Sequence, residues 1–164
     1  MREAIQTWAA QLPQPLAVIL VAMLPIFELR GAIPFARGIF GMGPVAALWW
    51  SVVGNLIPIP FILQLLGPVT SWAERHWSGL HRLLDRRYSR TRSRHTTRFE
   101  RLRDLALVTF VAIPLPLTGA WSGALAAFVF GIEKRRAFVL IAVGVVIAGL
   151  VVSLVWEAGS RLAG

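Results

Sequence analysis

Two stretches of this chain are both free of charge and long enough to cross a bilayer. They are Val45 to Leu66, twenty-two positions, and Ala137 to Trp156, twenty positions. A hydrocarbon core about 30 Å thick is spanned by about 20 apolar helical residues. A chain of 164 residues has nothing large enough to bury two such helices on every side. They predict an integral membrane protein. Charged residues make up only 15% of the chain, where a soluble domain carries about 25%.

The charge is also unevenly placed. Ten of the 17 basic residues lie between Arg75 and Arg103. A net charge of +9 could suggest nucleic acid, but a single basic loop between apolar blocks is where a membrane protein keeps its cytoplasmic charge. No nucleic-acid partner is expected. The absence of cysteine excludes disulfides, thiol chemistry and cysteine-based metal sites. His76, His81 and His95 are spaced by five and fourteen, which matches no compact metal signature. No metal or other cofactor is expected. Met1 to Leu12 mixes Arg2, Glu3, Gln6 and Gln11 with apolar residues and reads as a short interfacial helix rather than a secretory signal.

Two further apolar blocks are short. Pro15 to Phe27 and Leu105 to Leu117 hold thirteen residues each, about 20 Å of helix at 1.5 Å per residue, too little to cross. Each is followed by a Gly/Pro-rich break, a second short apolar stretch and then a full span. Sliding the halves by 88 positions puts Gly31 on Gly119, Ala32 on Ala120, Phe40 on Phe128 and Gly43 on Gly131, a weak internal repeat. Each pair of short blocks is either one bent crossing helix or a re-entrant hairpin. Four crossings would put the Arg75–Arg103 loop and the Glu133-Lys134-Arg135-Arg136 cluster on opposite sides. Hairpins put them on one side, as the positive-inside rule prefers. The expected fold is therefore an all-α integral membrane protein of two inverted units, each a re-entrant helical hairpin plus a transmembrane helix. The whole chain, 1–164, reads as one membrane domain: 13–72 forms the first unit, 73–104 the basic cytoplasmic loop, partly helical, and 105–160 the second unit.

Glu28 and Arg30 are the leading site candidates. An ionisable residue deep in the bilayer costs several kcal/mol unless paired or hydrated, and is functional by default. Glu28 would accept a proton or a cation, and the planar fork of Arg30 suits phosphate or carboxylate. The competing reading is an ion pair that pins the hairpin tip. Arg37, seven residues on, either lines the same anion path or snorkels to the interface. In the second half Thr118 and Ser122 can bond freed backbone carbonyls or a substrate, and a facing pair of tips would set them opposite Glu28 and Arg30. Gly31, Pro34, Pro114, Pro116 and Gly119 would shape the tips, because glycine permits tight reversal and proline frees carbonyls. Asn55 either joins the polar cavity or bonds a neighbouring helix. Trp49, Trp50, Trp72 and Trp156 read as interface anchors. Arg86, Arg87 and Arg90 in the loop suit anionic lipid head groups.

The run Pro25-Ile26-Phe27-Glu28-Leu29-Arg30-Gly31-Ala32-Ile33-Pro34, then Gly54-Asn55 with Pro58, then Pro114-Leu115-Pro116-Leu117-Thr118-Gly119-Ala120-Trp121-Ser122-Gly123, resembles the small multidrug export family from about Leu24 to Val155. Leu117 departs from the glycine expected there. The architecture is also distantly similar to the DedA (VTT-domain) proteins, whose association with lipid translocation and with the proton-motive force implies the same class of activity here.

The expected function is a transporter or flippase in the inner (plasma) membrane. Its substrate would be an amphipathic anionic lipid such as a polyprenyl phosphate, with Glu28 handling protons and Arg30 the head group. Proton-coupled export of small amphipathic compounds is the alternative, and a non-transporting scaffold or assembly subunit is a third reading. No nucleophile–base pair is placed for catalysis, so no enzyme is expected. Besides membrane lipids and a small amphipathic or lipid-phosphate substrate, the expected partner is a second copy, since a homodimer would shield hairpins that so few helices leave open to lipid.

Overall fold

A computed structural model describes residues 12–76, 97–115 and 118–163. Among these residues the regular structure is helical: α1 (Gln14–Met23), α2 (Glu28–Gly38), α3 (Pro44–Leu56), α4 (Pro58–His76), α5 (Thr97–Ala112), α6 (Ala120–Val129) and α7 (Lys134–Ala163). The expected all-helical class holds. So do the two long spans, now Pro44–Trp72, which is α3 running into α4, and Lys134–Leu162. Each is 29 residues, about 43 Å of helix. Only 28% of either window is buried inside the protein. Val139, Val143, Ile147, Leu150 and Leu154 of α7 are exposed. An apolar face of that extent is stable against lipid and not against water, so the chain is a membrane protein.

The short helices pair. α1 lies on α2 and α3 through Val18, Ala22, Ala32, Ala36 and Ala47, all buried. The small side chains bring the backbones close: a Cβ on Gly54 would sit 2.6 Å from the Ile19 carbonyl oxygen. In the second half α5 packs along α7 and beside α6 around Leu107, Val111, Ala124 and Ile141. Arg103, midway along α5, donates to the Phe130 carbonyl at the end of α6 (3.1 Å), and Val111 near the end of α5 packs on Gly123 near the start of α6, so the two are antiparallel.

α7 is tied at its two ends to different halves. Near its start, Arg136 bridges Asp104 (2.5 Å) and Glu100 (3.3 Å) on α5. Near its finish, Glu157 forms an ion pair with Arg37 on α2. The open ends of the two helical pairs therefore lie against opposite ends of α7.

Several boundaries differ from expectation. The first break occupies Leu24–Phe27, just ahead of Glu28 and Arg30 rather than at them, because Pro25 disfavours helix at Leu24. Gly31 and Pro34, expected at the tip, lie inside α2. Pro34 has no N–H for the Arg30 carbonyl, so that bond of the helix ladder is missing. The basic segment 73–104 is encroached on from both sides, by α4 to His76 and by α5 from Thr97. Arg86, Arg87, Arg90, His81, His95, Pro116 and Met1 to Gln11 lie outside the described residues.

Candidate functional site

The two breaks meet. Glu28 opens α2 with φ at 43°, a left-handed conformation that costs a non-glycine residue about 1–3 kcal/mol unless its surroundings hold it. The residue is 7% exposed, and its carboxylate reaches across to the other half, where Oε1 accepts from the Trp121 backbone N–H (3.3 Å). The start of a helix leaves donors unpaired. At α6 the N-cap is Gly119, which has no side chain to offer, so Glu28 supplies the acceptor from another helix, and the positive end of the helix favours its charge. A Cβ on Gly119 would collide with that same carboxylate.

Two further bonds run between the breaks. The Trp121 indole Nε1–H donates to the Met23 carbonyl at the end of α1 (3.2 Å). Arg30 Nη2 donates to Thr118 Oγ1 (3.3 Å). Thr118 also accepts from the Leu115 backbone N–H (3.1 Å), and its own proton can go to the Ile113 carbonyl at 2.6 Å or that of Leu115 at 2.8 Å. Each half thus satisfies helix-end groups of the other, which matters where no water is available to do so.

A small cavity lies at this junction, lined by Glu28, Arg30, Asn55 and Gly119 on an otherwise apolar wall. Its volume is about 10 Å³, room for roughly one water molecule. Asn55 is 1% exposed, and among the described residues its Oδ1 has no hydrogen-bond partner. A buried carbonyl oxygen left bare costs about 1–3 kcal/mol, and a water between Asn55 and Glu28 would remove that cost.

Arg30 faces a second space as well. A groove of about 460 Å³, open along one side, is lined by Arg30, Pro34, Val152, Val155, Trp156 and the Gly159-Ser160 pair. Arg30 is its only charged lining residue among the described residues. Among the described residues no carboxylate stands within ion-pair distance of its guanidinium, which donates to the neutral Thr118 hydroxyl and feels the Glu28 carboxylate only at longer range.

Of the residues singled out in the sequence, Glu28, Arg30, Asn55, Thr118 and Gly119 come together, with Pro114 in the second break. Ser122 does not join them. Its hydroxyl donates to the Gly119 carbonyl (3.3 Å), one turn back in the chain. Arg37 is held at the far end of α2 by Glu157 and by the Met42 carbonyl (2.9 Å). Glu157 was not singled out, although a lone carboxylate closing an apolar span is a visible signal. Trp121, which the sequence offers as one residue of the second break without a role of its own, bridges the halves with both its main-chain and its indole N–H. Trp156 lines the groove rather than serving only as an anchor. Arg37 and Glu157 are both partly exposed, so neutralising Glu157 to Gln is expected to cost no more than about 1 kcal/mol. Thermal unfolding in detergent would check that. Among the described residues no group of His, Cys, Asp or Glu could hold a metal ion.

No curated protein and no solved structure matches the chain. A family model described as "Putative small multi-drug export protein" matches residues 28–151, which takes in Glu28, Arg30, the second break and most of α7. The chain belongs to this small multi-drug export family, whose name puts it among membrane transporters.

Proposed function

We propose that the chain is a multi-pass transporter of the inner membrane that moves an amphipathic anionic lipid, such as a polyprenyl phosphate, with the head group at Arg30. One observation carries this reading: a single guanidinium, with no carboxylate within ion-pair distance among the described residues although the charge of Glu28 is felt nearby, borders both the small junction cavity and an apolar groove open at the side. An acyl or prenyl chain suits Pro34, Val152, Val155 and Trp156, and a phosphate suits the arginine fork. A cationic drug would be repelled by Arg30, which counts against export of amphipathic cations.

In this reading the two helical pairs are re-entrant hairpins that enter from opposite faces, so the halves are inverted and their tips meet within the bilayer. The attachment of α7 to α5 at one end and to α2 at the other supports that topology. So does the positive-inside rule, which sets the basic segment after His76 in the cytoplasm together with Lys134 to Arg136. Non-helical backbone is tolerated at depth only against protein or a wet cavity, and here each break rests on the other. Glu28 carries the coupling proton, with Asn55 and one water beside it. The likeness to DedA proteins drawn from the hairpin residues points the same way.

The test is transbilayer movement of a labelled polyprenyl phosphate in proteoliposomes under an imposed pH gradient. Movement well above protein-free vesicles is expected, together with little movement of a small amphipathic cation. Flux of the cation and none of the phosphate would overturn the assignment in favour of drug export. Flux of neither would favour a scaffold.

A further inference from the structure

A second groove lies at the other end of α7, outside the junction and away from Arg30. It has a volume of about 550 Å³ and is lined by Leu63 of α4, Phe128 of α6, Gly131, Ile132, Glu133, Lys134 and Arg135. The floor is apolar, with Leu63 and Ile132 nearly buried. The rim is charged. Three consecutive cations open α7, and they point in different directions because each helical residue turns by about 100°. Arg136 is taken up by Asp104 and Glu100. Lys134 and Arg135 are exposed, and among the described residues neither has an ion-pair partner. Glu133 offsets one of the two charges, which leaves the rim net positive. The arrangement parallels the first groove: there a short helix, α2, faces the far end of α7, and here a short helix, α6, faces α4.

We infer that this groove is a binding site for an anionic phospholipid of the surrounding bilayer, with the head-group phosphate at Lys134 and Arg135 and an acyl chain over Leu63, Phe128 and Ile132. Charge complementarity selects the occupant. A cationic rim above an apolar floor fits an anionic lipid better than a zwitterionic one, since each basic side chain near a membrane surface favours anionic lipid. The face of a membrane protein is also where such a molecule is always at hand. The inference rests on the chain being embedded in a membrane and not on its transporting lipid.

The full chain carrying Arg30→Gln, which removes the cation of the first groove, would be reconstituted with a photoactivatable phosphatidylglycerol or its phosphatidylcholine counterpart. Labelled peptides would then be mapped. Labelling of residues 128–135 by the anionic probe should exceed that by the zwitterionic probe roughly tenfold. Adding Lys134→Gln with Arg135→Gln should bring the two probes level, and Lys134→Arg with Arg135→Lys should keep the difference. Equal labelling by both probes, or a preference that survives loss of both charges, would overturn the site. So would loss of the preference in the charge-conserving variant, which would assign these residues a structural role. Because the readout is labelling, absence of lipid flux leaves the inference standing, and absence of labelling says nothing against flux through the first groove.

Discussion

Gly119→Ala is expected to silence the protein while leaving it folded. The added methyl group falls on the Glu28 carboxylate, which lies where a Cβ would go. That carboxylate ends a flexible side chain, so it can swing away, but doing so gives up its bond to the Trp121 N–H. Alanine would also have to adopt φ near 158° and ψ near −164°, a region open almost only to glycine. Loss of the cap and the backbone strain together cost about 2–4 kcal/mol. Polyprenyl phosphate flux should fall at least about tenfold, to the level of Glu28→Gln, although both Glu28 and Arg30 are still present. Flux and thermal unfolding measured on one preparation would separate loss of function from loss of fold. Wild-type flux in Gly119→Ala would show that contact between Glu28 and the start of α6 is dispensable.

The second large effect is expected at Arg30. Among the described residues its guanidinium is the only charge lining the first groove, so Arg30→Gln removes the cation that would hold a phosphate there. A hydrogen bond to a charged group contributes about 1.5–3 kcal/mol, and each 1.4 kcal/mol is about tenfold. Anionic-lipid flux should therefore drop roughly 10- to 100-fold. Arg30→Lys should recover part of it, because an ammonium keeps the charge and loses the planar fork. Thr118 keeps its bonds to the Leu115 N–H and to the Ile113 or Leu115 carbonyl without Arg30, so the melting temperature of the glutamine variant should change little. A large fall in stability with unchanged flux per folded molecule would instead assign Arg30 to the hairpin joint alone.

Much of this site could be read before any coordinates. Glu28 and Arg30 stand out because charge in an apolar block has few reasons to be there, and Thr118 and Gly119 stand out because a Pro/Gly-rich break at depth needs something to face. What composition does not carry is contact over long separations. The Trp121 amide that receives Glu28 lies 93 positions away, and nothing in its neighbourhood marks one backbone N–H among many. Arg37 illustrates the same limit: its partner Glu157 is 120 positions distant. The early start of α5 was hidden for a related reason. Thr97 to Asp104 is highly charged and looks like loop, yet Glu100 and Asp104 are bonded to Arg136 on a helix far along the chain. The first break was misplaced by only a few residues. Proline inside a helix usually marks its end, but Pro34 lies within α2, and Pro25 is the residue that terminates α1.

The central claim is that two hairpins enter from opposite faces and meet at Glu28 and Gly119. The chain has no native cysteine, so single cysteines at Met42, between α2 and α3, and at Glu133, before α7, report topology without background. Both would be probed in sealed, oriented membranes with a membrane-impermeant thiol reagent. The account predicts that Met42→Cys is labelled only from the outer side and Glu133→Cys only from the cytoplasmic side. Labelling of both from the same side would contradict it, and would turn the paired short helices into kinked crossing helices.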